Sequence, residues 1–267
     1  MSDLHEGAVD DEAERSDEPA SAPGGPSRRS LIVGGLVAGL LIGAALGWFT
    51  SRGSDDDQEA DDPVLDEEAP ETAEAAAAFL VAWERGRTAT FLSGSLLERT
   101  TSSGAVMELP IVVAQLPPDR VVSTGASVEG TVDGLAVVCD EQLDGLVHCQ
   151  QQEAAGGAAD GGAAFDAGVA AEMTALRGYV EGELPLYRVA QEGECFALRL
   201  ARAVLAPPYG QNARFCFDAT SGAPSLQHVE RTDGTDTVTL VSVRADIDAA
   251  DVARVAAGEI DQELLDG

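Results

Sequence analysis

Phe215-Cys216-Phe217-Asp218-Ala219-Thr220-Ser221-Gly222-Ala223-Pro224 reads as a strand, a tight turn and the entry to a second strand. Successive side chains of a strand alternate, so Phe215 and Phe217 share one face. The aromatic–Asp–x–x–x–Gly–x–Pro pattern is a hairpin signal. The same grammar continues outward. Upstream, Phe196, Leu198 and Leu200 alternate with Ala197 and Arg199, and Ala206-Pro207-Pro208-Tyr209-Gly210 marks a turn. Downstream lie Leu226–Arg231, the Asp233-Gly234 turn and Thr237–Ala245.

Further upstream, Pro70 followed by Glu71, Thr72 and Glu74 reads as a helix start, with acids at the positive end of the dipole. The helix is expected over 71–89, with Phe79 and Trp83 four apart on one face. Short β-rich runs follow at 91–99, 106–115, 120–124, 128–133, 135–139 and 146–150, separated by Gly104, Pro117-Pro118, Gly125, Asp133-Gly134 and Asp144-Gly145. Residues 151–165 are low in complexity and read as a mobile loop. Val169, Met173, Leu176 and Val180 make an amphipathic stripe, so a second helix is expected over 166–181. From about 250 the chain reads as an acidic tail, taken as 253–267. The whole is an α+β domain over 72–252, with nine or ten antiparallel strands and two helices.

Cys139, Cys149, Cys195 and Cys216 are the four cysteines. Three pairings are open. The favoured one is 139–149 with 195–216, because each pair brackets one turn and meets across a hairpin. Zinc is the alternative, but there is no CxxC pair, and His5, His148 and His228 lack finger-like spacing.

Leu31 to Phe49 is a nineteen-residue run without a charge. A helix of that length covers about 28 Å, close to the hydrocarbon thickness of a bilayer. Arg28 and Arg29 precede it and Asp55, Asp56 and Asp57 follow Arg52, so a single-pass transmembrane helix leaves tail 1–30 cytoplasmic and everything beyond the linker 50–71 outside the cell membrane. A cleaved twin-arginine signal, Ser27-Arg28-Arg29-Ser30-Leu31-Ile32, is the rival reading. Gly35, Gly39, Gly43 and Gly47 line one face of the helix, a spacing that permits a homodimer through close helix approach.

Charge excludes one large class. The 47 acids stand against 16 basic residues, all Arg, for a net charge of −31. Nucleic acid binding needs a basic surface, so no nucleic acid partner is expected. Catalytic signatures are absent: there is no G-x-S-x-G, P-loop, HExxH or dinucleotide fingerprint. His148 and Cys149 are adjacent and point to opposite faces of a strand, which is poor geometry for a dyad. Glu181, Glu183, Glu192 and Glu194 read as a solvated surface, and Asp246, Asp248 and Asp251 lack the pattern of an EF-hand. The reading is therefore of a protein that is not an enzyme and needs no cofactor or metal.

A resemblance rests on three stretches: Trp83-Glu84-Arg85-Gly86-Arg87-Thr88-Ala89-Thr90-Phe91, Leu116-Pro117-Pro118-Asp119-Arg120-Val121-Val122, and Phe215–Pro224 leading to Val243-Arg244-Ala245-Asp246-Ile247. Over 75–252 the chain resembles the LolA-like and LppX-like exported proteins of bacteria, with a membrane anchor in place of a lipobox cysteine. Its Arg-only, Gly/Ala-rich composition suits a high-GC actinobacterial type. The resemblance implies a half-barrel, a curved antiparallel sheet wrapping one or two helices, whose concave side can hold acyl chains. The apolar face would then bind a lipid or other apolar ligand through Phe196, Leu198, Leu200, Phe215, Phe217, Val238 and Leu240, provided the helices leave it open. The alternative is an envelope protein acting through protein–protein contacts, without a ligand cavity.

Overall fold

A computed structural model of the protein describes residues 69–124, 127–141, 147–153, 161–259 and 261–266. The apolar run 31–49, with Gly35, Gly39, Gly43 and Gly47, lies outside the described residues, as do tail 1–30 and linker residues 50–68. Among the described residues no helix is long and apolar enough to cross a membrane.

Helix α1 (Ala73–Thr88) starts where the acidic first turn and Thr72 place it, the Thr72 hydroxyl accepting from the Ala75 N–H at 3.0 Å. Six strands follow: β1 (Phe91–Thr101), β2 (Val106–Leu116), β3 (Asp119–Ser123), β4 (Ser127–Val132), β5 (Leu135–Glu141) and β6 (Val147–Glu153). Helix α2 (Gly161–Val180) leads to five more: β7 (Tyr187–Glu192), β8 (Cys195–Leu200), β9 (Asn212–Phe217), β10 (Pro224–Arg231) and β11 (Gly234–Arg244). Helices α3 (Ala249–Ala256) and α4 (Glu263–Asp266) close the chain. All strands join one antiparallel sheet in the order β6-β5-β4-β3-β2-β1-β11-β10-β9-β8-β7. It is two meanders sewn together by the β1–β11 pair.

The two edge strands, β6 and β7, are consecutive in the chain and α2 connects them. The start of α2 lies against the β4–β5 turn, where a Cβ on Gly161 would stand 3.1 Å from the Gly134 Cα. Its end packs with Tyr187 and Val189 of β7. Twenty helical residues span about 30 Å, whereas the strands between those two points would occupy about 40 Å if laid flat. The sheet therefore curls toward α2, which lies across the curve as a bowstring lies across a bow.

The two faces are filled by different helices. In register, Phe196, Phe215, Gln227, Val238, Leu97 and Leu109 form one row across six strands on the α2 side. Over β7–β10 this concave face packs against α1 and α2. On the convex face Leu92, Val112, Ala114, Val121, Val128 and Val137 pack beneath Val252 and Val255 of α3 and Leu264 of α4.

Several expectations need correction. The C-terminal acidic segment from about 250 is not a loose tail, since Val255 and Leu264 are buried and Asp248 and Asp251 form a capping box at the start of α3. Helix α2 begins at Gly161, inside the stretch 151–165 read as a loop, and residues 151–153 belong to β6. Its Gly- and Ala-rich first turns read as a loop, although Gly161 alone has a close neighbour there, Gly134. Strand β7, which the sequence reading does not include, alternates Tyr187 and Val189 inward and buries both side chains between flanking glutamates.

Both favoured disulfides are present. Cys139 and Cys149 are opposed in the β5–β6 ladder and Cys195 and Cys216 in the β8–β9 ladder, with Cα–Cα distances of 3.9 and 4.0 Å.

Candidate ligand-binding face

Four of the seven apolar residues expected to line a ligand seat are deeply buried: Phe196, Leu198, Phe215 and Phe217. Their neighbours are helical side chains. Phe79 of α1, 0 % exposed, places its ring 5.5 Å from Phe196 and 5.8 Å from Phe215. Trp83 stands edge-on to Phe215 at 5.2 Å, and Tyr209 edge-on to the same ring at 5.4 Å. Leu200 is half-buried against the same cluster. This half of the concave face is packed with aromatic rings at the separations they prefer.

Val238 and Leu240 lie elsewhere. They share the concave face through the register with Leu97 and Ser95, but β11 carries them past the reach of α1. Val238 joins a separate cluster with Leu97, Ile111 and Val122, each 7 % exposed, and with half-buried Leu109 and Val113. Leu240 is half-buried. Every member of that cluster comes from a strand. The first half of α2 contributes none; of residues 162–168 only Phe165 is even half-buried, and it packs on the α1 side. The sequence-derived set of seven is thus split between the aromatic cluster packed by α1 and α2 and a cluster whose apolar members all come from strands.

A polar group marks the boundary between the halves. Gln115 of β2, 1 % exposed, donates both amide hydrogens to the end of α1, to Gly86 O at 2.8 Å and Ala89 O at 2.7 Å. Its Oε1 then accepts from Arg120 Nε at 3.0 Å. Arg120 sits two positions before Val122 on β3 and so on the same face. Dense surroundings and the charge of Arg87 pull its pKa down to about 9, although part of the side chain reaches solvent. Arg87 pairs with Glu172 of α2 at 2.9 Å, and the other carboxylate oxygen of Glu172 accepts from Trp83 Nε1 at 2.9 Å. Residue-type counting gave no reason to single out Arg120. The available clue was a charged residue inside the apolar run Arg120-Val121-Val122.

A second buried charge lies farther along the same face. Asp236, 2 % exposed, is clasped by Arg99 at 2.7 Å and Arg231 at 3.6 Å. Burial raises its pKa against the pull of both guanidinium groups.

The remaining candidates have structural partners. His228 Nδ1 lies 3.0 Å from the Thr237 hydroxyl, and Glu192 pairs with Arg214 at 3.1 Å. Asp251 accepts from Arg244, Arg254 and the Asp248 N–H, and Asp248 caps α3, so two of the acids lining an open depression of about 500 Å³ there are already engaged. Among the described residues no group of three or more His, Cys, Asp or Glu is placed to hold a metal.

No protein-family model matches the chain and no curated protein matches it. Among solved structures it is similar to a LolA superfamily protein from Nitrosomonas europaea, at 6 % identity and TM-score 0.29 over 66 % of this chain and 96 % of that one. It is also similar to MucB in complex with MucA(peri), at 13 % identity and TM-score 0.34 over 66 % of this chain and 58 % of that one. A DUF1329 family protein from Desulfovibrio piger gives 8 % identity and TM-score 0.28 over 73 % of this chain and 100 % of that one.

Proposed function

We propose that the chain is a non-enzymatic binding domain held outside the cell membrane by the single helix 31–49, with its N-terminus cytoplasmic, and that it takes a lipid or other apolar ligand on the concave face. The observation that carries this is the cluster of Leu97, Ile111, Val122 and Val238, which is built from strands alone and is separate from the aromatic cluster under α1. The ligand seat is therefore moved from the Phe196/Phe215 half, where Phe79 and Trp83 occupy the space, to the β1–β3 and β11 half. Native mass spectrometry of the full-length protein released from membranes is expected to show a co-purifying apolar molecule, lost on Val238→Asp. A ligand-free wild-type protein would count against it.

Orientation has its own test. A cysteine introduced at Ser54 should react with an impermeant maleimide on whole cells, and one at Ser21 should not. Reaction at both, or recovery of the chain unanchored, would overturn the anchor. A homodimer through Gly35, Gly39, Gly43 and Gly47 is part of the same proposal, and Gly39→Ile with Gly43→Ile should abolish it in a membrane association assay.

The tight aromatic packing under α1 favours a second reading, in which the domain is an envelope scaffold for another protein. It predicts a lipid-free domain and unchanged behaviour in Val238→Asp.

A further inference from the structure

We infer that Arg120 is the anion-binding end of the apolar seat, so that the ligand is an amphiphile with a carboxylate or phosphate head and an apolar body. This rests on the reading above and narrows its ligand class.

The argument begins with an imbalance. In a chain with 47 acidic residues and 16 Arg, a crowded arginine would be expected to hold a carboxylate. Arg87, Arg99, Arg214 and Arg231, all half-buried, do. Arg120 does not: among the described residues its one hydrogen-bond partner is the neutral Oε1 of Gln115, which engages Nε. Gln115 is itself locked by its two bonds to the end of α1, so the guanidinium is held at a fixed angle. Among the described residues neither Nη group has an acceptor, although the guanidinium edge is the geometry that grips a carboxylate or phosphate by two parallel bonds.

Glu172 is the nearby acid, and it is already shared between Arg87 Nε and Trp83 Nε1. Two guanidinium groups, Arg87 and Arg120, thus share the influence of one carboxylate, and the next acid on this face, Glu129, stands opposite Val122. Desolvation and Arg87 both disfavour the charged form of Arg120. An incoming anion would reverse that by supplying the opposite charge where water is scarce. Two residues along β3, on the same face, lies Val122, opposite Val113, and the strand-built cluster continues to Ile111, Leu97 and Val238. A head at Arg120 therefore has an apolar surface directly behind it.

The test uses full-length protein carrying Trp48→Phe in phosphatidylcholine nanodiscs, with empty discs as blank, so that Trp83 is the sole tryptophan. Energy transfer from Trp83 to cis-parinaric acid should saturate. The methyl ester of the same probe, which has no anion, should bind at least about tenfold more weakly, as expected for one charge-assisted bonding pair. Arg120→Gln should erase the acid–ester difference. The acid–ester comparison on the Arg120 protein stands even if that variant fails to fold. Displacement by decanoic acid alone assigns a carboxylate head, by dodecyl phosphate alone a phosphate, and either supports the inference. Equal binding of acid and ester overturns the anion site and leaves the apolar seat standing. No saturable transfer from either probe overturns both.

Discussion

Arg85 Nη2 donates to the carbonyl of Ala219 at 2.6 Å, tying the last turn of α1 to the β9–β10 turn across 134 residues. The same nitrogen reaches Thr220 O at 3.0 Å. The two segments approach closely: a Cβ on Gly86 would stand 3.2 Å from Gly222 O, and Gly222 itself has φ +75°. Arg85→Met keeps the stem and removes the donor. It should lower stability by about 1 kcal/mol, a drop of about 2–4 °C in Tm for a domain of this size. An unchanged Tm would mean the turn is held by packing alone.

Asp218 makes that turn acid-sensitive. Its Oδ1 accepts from the Ser221 N–H at 2.6 Å, the Ser221 hydroxyl at 2.7 Å and the Thr220 N–H at 3.1 Å, which holds its carboxyl below the usual carboxylate range. A carboxyl with a depressed folded pKa stabilises the fold above its unfolded pKa and loses that contribution as pH falls toward the folded value. Asp218→Asn should therefore be less stable than wild type by a constant amount at neutral pH. The gap should narrow below about pH 4, as urea titrations at stepped pH would reveal. A gap that widens in acid contradicts the assignment.

Phe79 and Leu240 should behave differently, although sequence patterning puts both on core faces. Phe79→Ala removes a ring from the centre of the aromatic cluster and should cost about 3–5 kcal/mol. Leu240→Ser, at a half-buried position outside that cluster, should cost clearly less. Comparable losses in chemical denaturation would show that the concave face is a single packed core.

The bridges close loops of unequal size, with sequence separations of 10 for Cys139–Cys149 and 21 for Cys195–Cys216. In the chain-entropy account each contributes roughly 3 kcal/mol, the larger loop slightly more. Paired Cys→Ser substitutions, compared by guanidinium unfolding, should rank 195/216 as the costlier loss. The reverse ranking would place the effect in the folded state instead.

Gly94 is where the end of the chain docks. A Cβ there would lie 2.1 Å from the Leu264 carbonyl oxygen, and the Ser242 hydroxyl donates to that same oxygen at 2.7 Å. Gly94→Ala should release α4, seen as faster limited proteolysis after residue 258 with the sheet intact. Unaltered cleavage would argue that the docked segment contributes little.

Strand periodicity and turn chemistry made most of the sheet legible. Phe196/Leu198, Phe215/Phe217, Asp133-Gly134 and Asp233-Gly234 all signalled locally what they form. The cysteine pairing was legible for the same reason, since each pair flanks one turn. What escaped depended on distant partners. Val255 and Leu264 look like sparse apolar residues in an acidic stretch until Val112 and Val121 are placed beneath them. Tyr187 and Val189 form too short an alternation to stand out among glutamates. At the candidate site, sequence patterning identified an apolar face but could not show that Phe79 fills one half of it. Arg120 was invisible because its meaning lies in the absence of a carboxylate, which only the tertiary arrangement reveals.

The pairing of β1 with β11 has a consequence for how the chain matures. Residues 91–101 must wait for 234–244 before the central seam can close, so the first meander emerges with one flank unpaired. Each sulfur bridge, by contrast, lies wholly within one meander. Oxidation can thus secure both halves separately, leaving their union as a late, long-range step in which the nascent β1 border is open to wrong neighbours until its own partner has been delivered.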